Sequence, residues 1–352
     1  MKNILLLLCL FASQSLFAQV QLDADGPGGT YALITSVLAP GHNPIEAPDC
    51  NHGAFGDHID EVFDSVLNAF VFRFHIHTSP DNDRCINFDR QRNEIKSYDQ
   101  SPDNLLGVDG ETVRYSWKFK LDAGFQSSSS FTHIHQLKSV GGSLASMPMY
   151  TLTTRKSSPD RIELRYAETD NQITLKQTDL APFLGEWVSV TETIQYGTSG
   201  TYEIEMVRLS DSTVLLAHSE THIVNWRPGA DFVRPKWGIY RSLNQVQDLR
   251  DEAVLFANFE VDEWVASSVQ DAKWLDIQLL PNPVSEVLKI QRLPHSIHQV
   301  MIFGLDGKLV LKQSVKAGSD ISLNVSGIPN GTYLVHLLGD QSHTSRKICI
   351  IH

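Results

Sequence analysis

The segment Arg90-Gln91-Arg92-Asn93-Glu94-Ile95-Lys96 sets charged side chains at alternate positions. On an extended strand Arg90, Arg92, Glu94 and Lys96 share one face. Such a row is either a solvated surface laced with ion pairs, each worth under about 1 kcal/mol, or a carboxylate-binding row in which Glu94 orients an arginine. In Phe131-Thr132-His133-Ile134-His135-Gln136-Leu137-Lys138 the same alternation predicts that His133 and His135 share a face. Two imidazoles so placed suit proton transfer near neutral pH, or a metal ion held by His-x-His. No third ligand accompanies them, so no metal is assigned. In Arg234-Pro235-Lys236-Trp237-Gly238-Ile239-Tyr240-Arg241-Ser242, the residues Lys236, Gly238 and Tyr240 fall on one face, with glycine leaving room between two polar tips for a ligand.

The elements that must position these residues are strands. Phe70, Phe72, Phe74 and Ile76 alternate with Arg73, His75 and His77, and the same period of two runs through Tyr115–Leu121, Arg161–Tyr166 and Trp187–Ile194. Many short, half-buried strands predict an all-β sandwich or jelly roll whose concave sheet can hold an extended polymer. Ile59, Val62, Phe63, Val66 and Leu67 also fit a helical stripe, but the strand that follows and the Leu67-Asn68 turn favour a hairpin. Ser127–Ser130 and Gly141-Gly142-Ser143 are expected as loops beside the cleft.

The chain of 352 residues is 41% hydrophobic, enough for one or two domains with a substantial core, and its net charge of −12 argues against indiscriminate binding to nucleic acid or an anionic membrane. An anionic ligand would have to meet a local basic patch, for which Arg90, Arg92, Lys96, Lys138, Lys236 and Arg241 are the candidates. Residues 1–18 read as a secretory signal peptide: Lys2, an apolar run from Ile4 to Ala12, and a small residue at Ala18. No second apolar segment of about 20 residues follows, so an exported, soluble protein is expected. Cys9 leaves with the signal, and Cys50–Cys85 is the natural disulfide in an oxidising compartment, worth roughly 3–4 kcal/mol; Cys349 is left over.

Residues 19–264 form the expected jelly-roll domain, 265–274 a linker and 275–352 a small β-sandwich. The tail carries 7 basic and 5 acidic residues, opposite in balance to the acidic central domain. It contains Leu279-Leu280-Pro281-Asn282-Pro283 and alternating Val287–Ile290, and its Asp306-Gly307 and Asn330-Gly331 read as hairpin turns. These residues resemble the C-terminal sorting domain of the type IX secretion system of Bacteroidetes. The resemblance implies export through that machinery, to the cell surface or medium, with removal of the tail.

Taken in order, the three polar clusters resemble the active-site strands of jelly-roll polysaccharide lyases, the alginate lyases above all, whose motifs run Arg-x-Glu-x-Arg, Gln-Ile-His and Tyr-x-Lys-x-Gly-x-Tyr-x-Gln. The matching positions are Arg92, Glu94 and Lys96, then His133, Ile134 and His135, then Lys236, Gly238 and Tyr240. The Lys-x-Gly-Ile-Tyr-Arg form also resembles the heparin-lyase-like branch. Departures are Lys96 for arginine, His133 for a carboxamide that helps neutralise the uronate, and Arg234 and Ser242 for the outer Tyr and Gln. The resemblance implies β-elimination at a uronate. Arg92, assisted by His133 or Gln136, neutralises the carboxylate and stabilises the enolate-like charge; His135 and Tyr240 form the base and acid pair, in either order, and Lys236 belongs to the same catalytic group. Arg90, Glu94, Lys96, Lys138 and Arg241 complete substrate binding. The expected activity is that of a monomeric endolyase on an anionic polysaccharide, with ulvan first, then glucuronan or alginate. No cofactor is required for the chemistry, and a structural calcium is compatible with it.

Two other functions fit the same fold. A hydrolase of the laminarinase type needs Glu-x-Asp-x-x-Glu, and the nearest string, Glu260-Val261-Asp262-Glu263-Trp264-Val265, lacks the last Glu. A carbohydrate-binding module would use Trp117, Trp187, Trp226 and Trp237 as stacking platforms.

Overall fold

The computed structural model describes residues 18–264, 277–293, 297–304, 308–315, 320–339 and 343–352. The expected signal peptide, apart from Ala18, and the expected linker lie outside the described residues, as does the Asp306-Gly307 turn. The chain divides into two compact units, Met1–Ala266 and Ser267–His352.

The strands of the first unit, in chain order, are β1 (Ala18–Leu22), β2 (Ile45–Glu46), β3 (Ile59–Asp64), β4 (Ala69–Ile76), β5 (Arg90–Lys96), β6 (Thr112–Lys120), β7 (Thr132–Val140), β8 (Tyr150–Arg155), β9 (Arg161–Tyr166), β10 (Ile173–Asp179), β11 (Trp187–Gln195), β12 (Gly200–Arg208), β13 (Val214–Ile223), β14 (Phe232–Ser242) and β15 (Glu252–Trp264). One sheet runs β13-β12-β11-β6-β15-β4-β3, with β1 added on β15, and the other runs β10-β9-β8-β7-β14-β5-β2. Non-consecutive neighbours such as β7/β14, β14/β5 and β6/β15 pair antiparallel, which makes the unit a jelly-roll sandwich. Alternation drives it: Tyr115, Trp117 and Phe119 from one sheet pack with Ile134, Leu152, Trp237 and Ile239 from the other in a single core. The rings of Trp117 and Trp237 lie 6.1 Å apart across the layers.

The ambiguous stretch is a hairpin, β3 to β4, in register from Ile59↔Phe74 to Asp64↔Ala69. A helix absent from the sequence reading, α1 (Thr30–Leu38), follows Gly28-Gly29 and buries Ile34 and Leu38, one turn apart, against the core. The Cys50–Cys85 disulfide is present, with Cα atoms 6.3 Å apart, and Cys349 is a free thiol.

The second unit has its own core, from Leu288, Ile290, Val300, Ile302, Leu323, Val335, Leu337 and Ile350 among others. It pairs β16 (Gln278–Leu280), β17 (Val287–Gln291) and β20 (Ile321–Asn324) in one sheet. The other holds β18 (Ile297–Gly304), β19 (Leu309–Ser314), β21 (Gly331–Gly339) and β22 (His343–Ile350), in the order β19-β18-β21-β22. Asn330-Gly331 is therefore not a hairpin turn: it opens β21, whose predecessor β20 belongs to the other sheet. Because each unit has a core of its own, removing residues 275–352 is expected to leave the melting temperature and catalysis of the recombinant first unit within a few per cent and about twofold of the intact chain. In the native host the same deletion should abolish appearance of the protein outside the cell, read by immunoblot of the culture fractions.

Candidate active site

The site lies on the face of the β10-to-β2 sheet that points away from the core. Register sets it: β14 runs beside β5 with Lys236 opposite Lys96, Gly238 opposite Glu94 and Tyr240 opposite Arg92. On its other side β14 sets Arg234 opposite Lys138, Lys236 opposite Gln136 and Tyr240 opposite His133. Trp237, Ile239 and Ile95, the residues between, fill the core. Arg92, His133 and Tyr240 are each only 8% exposed and Gln136 and Lys236 2%, so the site is a narrow polar slot, not an open groove.

Tyr240 occupies its floor. Arg90 Nη1 donates to the phenolic oxygen at 3.0 Å, and the Arg92 guanidinium carbon stands 3.6 Å from the ring centroid. The rings of Phe131 and His133 are 5.1 and 5.8 Å away. One guanidinium thus donates to the phenolic oxygen while a second stacks over the ring.

The two histidines do not share a face. β7 carries one extra residue between them: His133 faces Thr153 of β8, His135 faces Leu152, and Ile134 is the unpaired residue of a bulge. Ile134 and His135 consequently both turn to the core. His135 is 1% exposed, its Nδ1 lies 3.0 Å from Lys236 O and its Nε2 2.8 Å from Glu192 Oε2 on the opposing sheet, and its ring packs 4.3 Å from that of Trp117. With both nitrogens committed inside the sandwich, His135 cannot reach a substrate, and its assignment as base or acid is corrected to a structural one. His135→Ala should strand the buried Glu192 carboxylate, which also accepts from Tyr202 Oη at 2.7 Å. The expected result is a stability loss of about 3–5 kcal/mol in chemical denaturation, with turnover of the folded fraction within about threefold of wild type.

His133 is the imidazole that enters the slot. Its Nδ1 lies 2.7 Å from Thr153 Oγ1, and Nε2 makes no hydrogen bond among the described residues. Burial pushes its pKa down to about 3, reinforced by the Arg92, Arg155 and Arg165 cations against the pull of Glu94, so the ring is neutral at any working pH.

The basic row is neither a solvated surface nor a set of free cations. Glu94, fully buried, accepts from Arg92 Nη1, from Gln136 Nε2 and, at 2.8 Å, from Lys236 Nζ. Glu46 on β2 pairs with Lys236, with Lys96 at 2.7 Å and with Arg84 at 2.8 Å. Asp83 accepts from Arg92 Nε at 2.9 Å and more weakly from Nη2 at 3.5 Å. Burial alone would raise Glu46 and Glu94; Lys236 and Arg92 override it and hold both carboxyls below the usual carboxylate range. Lys138 is pushed down to about 8 by burial and by Lys236, Arg92 and Arg234, so its charge is lost as pH rises through that value.

The slot thus gathers Arg90, Arg92, Glu94, Lys96, His133, Gln136, Lys138, Lys236 and Tyr240. It excludes His135 and also Arg241, which is completely buried on the inner side, donating from Nε to Gln91 Oε1 and from Nη1 to Arg250 O, both at 2.8 Å. Glu94 and Lys236 are locked into the buried ion network, Glu94 holding Arg92 directly and Lys236 pairing with Glu94 and Glu46. Gly238 opens no ligand space: a Cβ there would lie 2.1 Å from Asn93 O, so glycine serves the approach of β5. The sequence reading missed Glu46, Asp83 and Arg84, which come from loops and a two-residue strand. It also missed Thr153 and the row Arg155, Glu163 and Arg165, where Glu163 pairs with Arg155 at 3.2 Å and with Arg165 at 2.9 Å. A signal existed, because Arg161-Ile162-Glu163-Leu164-Arg165 is itself an Arg-x-Glu-x-Arg string. Trp117, Trp187 and Trp237 are core residues, not platforms, and Asp262 is tied to Arg114 on the other sheet.

No curated protein matches the chain. Among solved structures it is similar to the endo-β-1,4-glucuronan lyase of the fungus Trichoderma reesei, at 14% identity over 58% of this chain and 85% of that one, TM-score 0.43. It is also similar to the PL-14 alginate lyase of Aplysia kurodai, at 11% identity over 68% of this chain and 97% of that one, TM-score 0.47. The family model for the secretion system C-terminal sorting domain matches residues 278–351. The second unit is therefore a sorting domain of type IX secretion, and the chain that carries it is exported to the cell surface or beyond.

Proposed function

We propose that the first unit is a polysaccharide lyase that cleaves a uronate-containing polymer by β-elimination, with Tyr240 moving the proton. The observation that carries this reading is the environment of Tyr240: its oxygen held by Arg90 at 3.0 Å, its ring beneath Arg92, and a neutral His133 beside it in a largely buried slot. The C5 hydrogen of a uronate becomes acidic once the adjacent carboxylate is neutralised. Arg92 is held in place by Asp83 and Glu94, and its weakly engaged Nη2 edge is the one free to meet that carboxylate. His133 stands where the resembled family has a carboxamide and serves the same role, a neutral hydrogen-bond partner for the carboxyl group. A ring held at about 3 is too weakly basic to take a carbon-bound proton.

Tyr240 is left to act as both base and acid, removing the C5 hydrogen and returning a proton to the departing O4. One group can do both only if hydrogen and oxygen lie on the same face of the ring, as in glucuronate and mannuronate but not guluronate or iduronate. Ulvan, through its glucuronate units, is the first choice, followed by glucuronan and alginate. The protein acts as a monomer, internally along the chain, without a cofactor in the reaction.

The test is a screen of ulvan, glucuronan, alginate and heparin-type polymers, read as ultraviolet absorbance of the unsaturated product with viscosity followed in parallel. Absorbance with an early viscosity drop on glucuronate-bearing polymers supports the reading. New reducing ends without absorbance would make the protein a hydrolase, and binding with neither would make it a carbohydrate-binding module.

A further inference from the structure

Away from the slot, three imidazoles and a carboxylate converge at the loop edge of the first unit. We propose that His52, His58, His77 and Asp81 bind one Zn²⁺ ion as a four-coordinate structural centre. One ligand atom from each residue lies within 4.8 Å of all the others. His58 Nε2 is 3.4 Å from His52 Nδ1 and 3.3 Å from Asp81 Oδ1. A tetrahedral ion with bonds of about 2.0–2.1 Å has ligand-to-ligand edges of about 3.3–3.4 Å, so these separations already match two edges of the polyhedron. His77 Nδ1 and His52 Nδ1 approach the Asp81 carboxylate at 3.0 and 2.8 Å and complete the set.

The outer partners are those a metal site needs. Asp49 Oδ1 lies 2.6 Å from His58 Nδ1, which leaves Nε2 to present a lone pair to the cluster, and Asp49 Oδ2 is fixed by Tyr31 Oη at 2.9 Å. The His77 backbone N–H donates to Asp81 Oδ2 at 2.7 Å and orients that carboxylate. Phe55 closes one side with ring distances of 5.4, 4.7 and 4.4 Å to His52, His58 and His77. Three nitrogens and one oxygen suit zinc, whereas calcium and magnesium require an oxygen shell. Without an ion, three imidazoles must each bring a proton to a single buried carboxylate.

The position gives such an ion a task. The Cys50–Cys85 disulfide joins the loop of His52 to the loop of Asp81, and Asp83, two residues on, holds Arg92 in the slot. A metal at this point clamps the segment that aims the arginine.

The test uses the intact chain, stripped with chelator and titrated with Zn²⁺ or Co²⁺ alone. One zinc per chain, the intense visible bands of four-coordinate Co²⁺, and a melting temperature at least about 5 °C higher with zinc are expected. His52→Ala, which removes a partly exposed ligand, should weaken zinc binding at least about 10²-fold. His75→Ala removes a neighbouring imidazole that bonds Asp60 at 3.1 Å and should leave zinc binding unchanged. Absence of stoichiometric metal, of the cobalt bands and of the thermal shift would show that the cluster is held by protons alone and overturn the proposal. Equal weakening by His75→Ala and His52→Ala would overturn the ligand assignment.

Discussion

Tyr240→Phe is expected to lower turnover by about 10²-fold or more while moving the melting temperature by under about 2 °C. The ring, packed against Phe131 and His133 and beneath Arg92, is retained, so nearly all contact area survives. What disappears is the oxygen that receives the Arg90 hydrogen bond, and with it the proton-transfer group of the proposed mechanism. KM should change little, since the hydroxyl contributes more to the transition state than to the ground-state complex. Ultraviolet assays on the substrate found in the screen, beside thermal melts of both proteins, separate chemistry from packing. Near-normal turnover would reduce Tyr240 to a strand tyrosine and remove the basis of the lyase reading.

A stability loss as large as that of His135→Ala is expected from Glu94→Gln. Glu94 has no solvent exposure and takes hydrogen bonds from Arg92, Gln136 and Lys236. Neutralising it leaves two cations in a buried place with Glu46 and Asp83 as their remaining partners, a loss of about 3–5 kcal/mol. The pH dependence tests the same network with a defined sign. Glu46 and Glu94 have folded pKa values held below those of the unfolded chain. Their contribution is therefore fully present above the unfolded carboxylate range near pH 4–5 and is lost as pH falls through the folded values. Denaturant unfolding from pH 7 to pH 3 should show wild type losing stability steeply below pH 5, and Glu94→Gln, already deprived of one such group, losing it less. Parallel curves for the two proteins would place the acid-sensitive group elsewhere.

Alternation of side chains made most of the fold legible. The apolar residues of β4, β6, β9 and β11 mark their buried faces directly, and the row Arg90, Arg92, Glu94, Lys96 lies on one face because β5 pairs with β14 without irregularity. His135 was misplaced for the converse reason: a bulge leaves no mark in the pattern of residue types, and Ile134 looks like any inward residue of a regular strand. Glu46, Asp83 and Arg84 were illegible because their role follows from chain segments brought together by β2 and the disulfide loop, not from spacing. The same holds for His52, His58, His77 and Asp81, whose intervals fit no local ligand motif. Arg241 was misread because a strand end with charged residues looks exposed until the loop around Arg250 is seen to cover it.

The bulge at Ile134 behaves as a dislocation in the pleat of β7. On its C-terminal side Gln136 and Lys138 point to the slot and His135 and Leu137 to the core; on its N-terminal side His133 points to the slot. Were the dislocation to glide beyond His135, the phase of that residue alone would invert and a second imidazole would surface beside Tyr240. The Glu192 carboxylate, gripping His135 from the opposing sheet, pins it where it is, and across the ladder β14 sets two residues, Gly238 and Ile239, against Ile134 alone. One dipeptide repeat thus encodes two different histidines, and the lattice defect between them selects which one the solvent side sees.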